Sequence, residues 1–254
     1  MNKLNQLFEN KKNNILSIYY TAGYPSLNDT TKIAMQLQKS GVDMIEIGFP
    51  FSDPVADGPV IQKSSKQALD NGMNLKLLFD QLAEVKDLTI PRILMGYINP
   101  VLSFGVGEFV QKCAEVGVDG VIIPDLPLEE YAANFQPLFE KYGLHNILLV
   151  SPETPDERIK EIAKLSSSFI YLVSSNAITG SSLQTNAVSE YFNRVKSLVG
   201  DTPLITGFGI RDRKTFQEVC AYTNGAIIGT AFIDAITGKD NLDSAIDDFV
   251  KGII

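Results

Sequence analysis

Short apolar runs of strand length recur along the chain, each followed by a longer amphipathic stretch, and this alternation limits the available folds more than any other feature. The runs are Ile15–Tyr20, Met44–Ile47, Arg92–Met95, Gly120–Ile123, Asn146–Val150, Phe169–Val173, Leu204–Thr206 and Ala226–Ile228. Helical patterns lie between them, among them Asp29–Ser40, Gly107–Val116, Glu129–Tyr142, Asp156–Leu165 and Asp212–Ala221. Several open on a capping-type residue: Asn28, Thr154 or Asp212. Strands that are almost wholly apolar, each followed by a helix, predict a parallel sheet covered by helices. Eight such units within 254 residues predict a (β/α)8 TIM barrel that occupies 1–254 as a single domain. A doubly wound open sheet would call for a G-x-G-x-x-G turn after the first strand, where this chain reads TAGYP. The segment Lys3–Lys11, ahead of the first strand, reads as an extra N-terminal helix closing the bottom of the barrel.

Charge and composition exclude several classes. A net charge of −8 argues against nucleic acid or an anionic membrane surface as a partner. Any anionic ligand is then expected to be held by local dipoles. No apolar run reaches the length of a spanning helix, and the opening MNKLNQLFENKKNN has no apolar core of a secretory signal. A cytoplasmic location follows, with Cys113 and Cys220 expected as reduced thiols. The single histidine, His145, precedes the fifth strand and falls at the bottom of the barrel, so neither a catalytic histidine nor a metal site is expected.

Barrel chemistry belongs to the C-terminal ends of the strands. The last two strands end in glycine turns, GFG at 207–209 and GT at 229–230, that run straight into helical sequence. Backbone N–H groups of Gly209, Gly229 and Thr230 are thereby expected to converge on a phosphate. The long polar segment 174–186 reads as a lid, whose Gly180 could add an amide and whose Thr179 could reach across the mouth.

Glu46 interrupts the apolar run Met44-Ile45-Glu46-Ile47, where an ionised carboxylate costs several kcal/mol unless it is paired or has a task. Asp57 follows in a Pro/Gly-punctuated loop, where both a turn role and a ligand role are open. The strands contain no lysine for a Schiff base. They offer Tyr19, Glu46, Tyr97, Asp125 and Tyr171 instead, groups suited to proton transfer but not to accepting electrons. A substrate cleaved here must bring its own electron sink.

The stretch IEIGFPFSDPVADGPVIQ closely resembles the signature of the tryptophan synthase alpha subunit family. The likeness continues through TAGYP, LMGYINP, IIPDLP, YLVSSNAITG, GFGI and IIGTA, in the order and spacing of the barrel units. The resemblance implies retro-aldol cleavage of indole-3-glycerol phosphate to indole and glyceraldehyde 3-phosphate. It implies an α2β2 complex in which indole passes to a beta subunit, and pyridoxal phosphate in that partner only, with no cofactor in this chain. Glu46 then corresponds to the family's general acid/base and Asp57 to its loop aspartate at the indole nitrogen. Gly180, Gly209, Gly229 and Thr230 match its phosphate-binding positions. Tyr171 falls beside the glycerol phosphate, while Tyr19, Ile61, Ile122 and Phe208 match the indole pocket. PFSDP at 50–54 and the segment Asn99–Phe104 match partner-facing loops. The chain departs from the commonest pattern in the lid, at Ala177 and Ser182. Two rivals stand beside this reading: an indole-glycerol-phosphate synthase, which would use a strand lysine, and a barrel that mainly docks to or activates a beta-type partner.

Overall fold

The structure, a computed structural model, describes residues 2–173, 186–207 and 209–254. Its strands are β1 (Ile15–Thr21), β2 (Met44–Gly48), β3 (Arg92–Met95), β4 (Gly120–Ile122), β5 (His145–Asn146), β6 (Leu148–Val150), β7 (Ile170–Val173), β8 (Leu204–Gly207) and β9 (Gly225–Ile228). All pair in parallel in the order β5-β4-β3-β2-β1-β9-β8-β7-β6, which is a TIM barrel with one interruption. The interruption corrects the expected count of eight. The fifth run divides at Ile147: its N–H still donates to Val121 of β4 at 2.9 Å, whereas Leu148 is already in register with Ile170 of β7. The chain thus passes from one neighbour to the other, and the covalent backbone closes the ring where no ladder does.

Burial explains why these runs are strands. Every residue of β1, β2 and β9 is buried, as expected for a sheet with a packed barrel interior on one side and helices on the other. The bottom is closed by the helix Lys3–Asn10, which inserts fully buried Leu4 and sets Phe8 against Phe169 with ring centroids 5.5 Å apart. A Cβ at Gly120 would stand 3.0 Å from both Leu4 and Ile147, so that glycine lets the plug and the broken strand pack closely against β4.

The helices depart from expectation in detail. Of the three expected caps only Asp212 acts as one, in a capping box with Thr215. Asn28 makes no side-chain cap, and Thr154 spends its hydroxyl on Ser151 while Pro155 precedes the helix Asp156–Leu165. The pattern at Glu129–Tyr142 resolves into Leu128–Glu130, a π-helical turn at Tyr131–Phe135 and Gln136–Tyr142. Pro137 lies just beyond that turn; without an N–H it cannot continue an α-helical ladder, which accounts for the wider turn.

Candidate active site

Parallel register delivers the candidate groups to one end. Tyr19 of β1 is paired with Glu46 of β2, and Glu46 with Ile93 of β3, so the Glu46 carboxyl stands in the barrel interior with a phenol beside it. Glu46 is fully buried. Its Oε1 accepts a hydrogen bond from Ser17 Oγ at 2.9 Å, and its Oε2 has no hydrogen-bond partner among the described residues. Desolvation pushes the carboxyl up to about 8, against an opposing pull from the Ser17 hydroxyl.

Glu46 borders a cavity of about 420 Å³. Tyr19, Ile61, Tyr171, Gly209, Gly229 and Thr230 line the same cavity, so the structure brings these expected residues together. The two phenols reach it because glycines on the neighbouring strands make room. A Cβ on Gly48 would lie 2.2 Å from the Tyr19 hydroxyl, and one on Gly207 2.1 Å from that of Tyr171. Burial and carboxylate charge both push the two phenols upward, so they stay protonated donors. At the other wall, the helix Thr230–Ile236 opens after Gly229, and the first N–H groups of a helix have no partner within it.

Asp57 occupies a second, nearly closed pocket that shares Tyr19 and Met95 with the first. Its Oδ2 accepts a hydrogen bond from the Tyr97 hydroxyl at 3.2 Å, and that phenol in turn accepts the Ala56 N–H at 2.9 Å. Desolvation raises the Asp57 carboxyl, with the Tyr97 hydroxyl acting against it; desolvation and the Asp57 charge together push the Tyr97 phenol up to about 12. The turn at Asp57 is made by backbone, through its N–H to Pro54. An Asx-turn would need the N–H of the residue two positions on, which is Pro59 and has none. The carboxylate is therefore not consumed in holding its own loop.

Other expectations are placed differently. Ile122 is fully buried at the end of β4, in register with Met95, and borders neither pocket. Asp125 accepts the Ile98 N–H at 2.9 Å at the start of the helix Ile98–Phe104. Thr179, Gly180 and Phe208, with positions 174–185 of the expected lid 174–186, lie outside the described residues. Sequence reasoning missed Ser17, Met95, Arg211, Ile227 and Asp234. Ser17 carried the same signal as Glu46, a polar residue inside an apolar run. Arg211 carried none, because an exposed arginine after a glycine turn is ordinary.

Residues 4–251 match the family model described as tryptophan synthase alpha chain. The chain belongs to the tryptophan synthase alpha chain family. It is 54% identical to the tryptophan synthase alpha chain of Flavobacterium psychrophilum, and 45% identical to that of Parabacteroides distasonis, in each case over all of this chain and at least 99% of the relative. Among solved structures, the alpha chain from Legionella pneumophila is 33% identical with a TM-score of 0.89, covering 100% of this chain and 96% of that one. Tryptophan synthase from Mycobacterium tuberculosis gives 30% identity and a TM-score of 0.89 over 99% and 98%. Membership places the protein among the lyases of tryptophan biosynthesis.

Proposed function

We propose that this family member cleaves indole-3-glycerol phosphate to indole and glyceraldehyde 3-phosphate, with Glu46 and Asp57 as its proton-handling groups. The observation that carries the reading is the Glu46 carboxyl, fully buried beside the cavity and pushed up to about 8. A group in that range is largely protonated at neutral pH and can act first as an acid. Glu46 protonates ring carbon C3, giving an indoleninium whose charged N–H the Asp57 carboxylate stabilises. The Glu46 carboxylate then takes the proton of the glycerol hydroxyl. The C–C bond breaks, its electrons return to the ring, and aldehyde and indole are released. Indole is the electron sink that the strand side chains do not provide, and no cofactor is asked of this chain.

The phosphate sits at Gly209, Gly229 and Thr230, with the Gly180 amide added from the 174–186 segment. Tyr171 lies along the glycerol, and Tyr19, Ile61 and Met95 flank the ring between the two carboxylates. Indole passes to a beta subunit in an α2β2 complex, where the pyridoxal phosphate resides. Val55 in the loop after β2 and Leu102 in the helix Ile98–Phe104 after β3 support this: 86% and 54% exposed, they are large apolar side chains on the segments that follow the C-terminal ends of those strands.

Glu46→Gln tests the assignment. It should lower the kcat of indole release by about 10³-fold or more, within the range of general acid–base catalysis. Affinity for a phosphate-bearing substrate analogue should stay within about tenfold, or ~1.4 kcal/mol. Turnover retained in that variant would return Glu46 to a structural role. Loss of analogue binding in the Gly209→Val and Gly229→Val variants, with the fold intact by circular dichroism, would support the phosphate position.

A further inference from the structure

Glu46 has two chemically equivalent oxygens in very unequal surroundings. Its Oε1 accepts the Ser17 hydroxyl at 2.9 Å, while its Oε2 is buried without a partner among the described residues, in a residue that borders the cavity. Ser17 and Glu46 are both fully buried, so water cannot substitute for either side of the bond. Ser17 lies two residues before Tyr19 on β1 and therefore on the same strand face, the one that meets Glu46 across the register. A buried serine in the apolar run Ile15–Tyr20 has no packing advantage over alanine or valine, and a lone hydroxyl is costly there without a partner.

We propose that Ser17 is a positioning residue for the cleavage reaction: it anchors Oε1 of Glu46 in one rotamer and so assigns proton exchange with substrate to Oε2. The inference rests on Glu46 as the proton-transfer group. A hydroxyl is well suited to this, because it can donate to Oε1 whether Oε2 carries a proton or not. The bond therefore persists through both halves of the proton cycle, when Glu46 is acid and when it is base. The other titratable groups near the Glu46 charge are the phenols of Tyr19 and Tyr171, which burial keeps protonated. Ser17 is thus the side chain that orients the carboxyl and, by donating to its ionised form, opposes the upward push of burial on its proton.

The test is steady-state cleavage of indole-3-glycerol phosphate by the full chain bearing Ser17→Ala or Ser17→Thr, with kcat followed across pH. Because the reaction starts from protonated Glu46, its titration forms the basic limb of the kcat profile. Removing the donor raises the carboxyl further, so in Ser17→Ala that limb should move to higher pH by about one unit. Its kcat at neutral pH should fall roughly tenfold as the carboxyl loses its fixed orientation, with KM within about threefold. Ser17→Thr keeps the hydroxyl and should restore both limb and rate. An unmoved limb in Ser17→Ala, a kcat equal to or above that of the parent chain, or equal losses in the alanine and threonine variants would overturn the proposal. Glu46→Gln separates the two levels. If that variant still turns over, the Glu46 assignment fails; if it is inactive while the Ser17→Ala limb stays in place, only the role of Ser17 fails.

Discussion

Two buried carboxylates at opposite ends of the barrel differ in how their oxygens are used, and that difference separates the proposed reactive group from a structural one. Asp119, at the bottom, accepts the Lys3 N–H on one oxygen at 3.1 Å and the Arg92 N–H on the other at 3.0 Å. Its own carbonyl holds the Asn2 amide that caps the N-terminal helix. The Arg92 guanidinium nearby is occupied by the carbonyls of Val116, Val85 and Leu88. Glu46 has one hydroxyl for two oxygens and no cation. Desolvation raises both carboxyls, but at Asp119 two backbone N–H groups and two cations work against it. Burial alone marks neither as functional; the unpartnered oxygen beside a cavity marks Glu46.

The largest expected consequence is in stability against pH. The Glu46 carboxyl is raised from an ordinary value of 4.5 to about 8 in the folded chain, so between those limits the folded state holds a proton that the unfolded state has lost. Its contribution is fully present below pH 4.5 and is lost as pH rises through about 8. Chemical denaturation across that interval should show the parent chain losing several kcal/mol relative to Glu46→Gln, which has nothing to titrate at this position. Parallel stability curves for the two chains would mean that Glu46 is ionised and solvated in the fold, which would remove the contrast with Asp119.

Next in size is Asp57. Its one side-chain donor among the described residues, the Tyr97 hydroxyl, leaves the carboxylate open to meet a charged ring N–H. Asp57→Asn preserves shape and the bond from Tyr97 but not the charge. It should lower kcat about 10²-fold, near 2.7 kcal/mol of transition-state stabilisation, and shift the melting temperature little. A kcat like that of the parent chain would make Asp57 a loop residue after all.

How much of this was legible in the sequence depended on whether the signal was local. The strand runs, the N-terminal plug and Glu46 were legible because burial imposes period and polarity on neighbouring residues. The division of the fifth strand at Ile147 was not, since the pairing partner changes from β4 to β7 while the residue pattern stays apolar. The caps at Asn28 and Thr154 failed because a capping residue type does not fix cap geometry, whereas Asp212 has the reciprocal Thr215 three residues on. The loop around Asp57 left a turn role and a ligand role open, and only family likeness pointed to the indole nitrogen. The carboxylate's freedom from the turn depends on Pro59 and on a phenol forty positions away, and the phenol is a fact of tertiary structure. Arg211 and Asp234, at the cavity wall, had no local signal of any kind.

The smallest effect is the converse experiment at the bottom of the barrel. Asn at position 119 has one acceptor oxygen, and its amide N–H₂ must face either Lys3 N–H or Arg92 N–H, donor against donor. One buried backbone donor is left unsatisfied, which costs roughly 1–3 kcal/mol. Urea denaturation of Asp119→Asn should report that loss, concentrated in the docking of the helix Lys3–Asn10, because Lys3 N–H is the softer of the two contacts. Turnover at temperatures well below the transition should stay within about twofold of the parent, since no group at the mouth depends on Asp119 for its geometry. The pairing of the two results is what matters. A carboxyl whose oxygens are all used should lose stability and no chemistry when altered, and one with an orphaned oxygen should lose chemistry while its replacement by an uncharged residue relieves the fold as pH rises. If Asp119→Asn instead lowered kcat with stability intact, the two ends of the barrel would be coupled through the strands. The separation of fold-holding bottom from reacting mouth would then not hold for this chain.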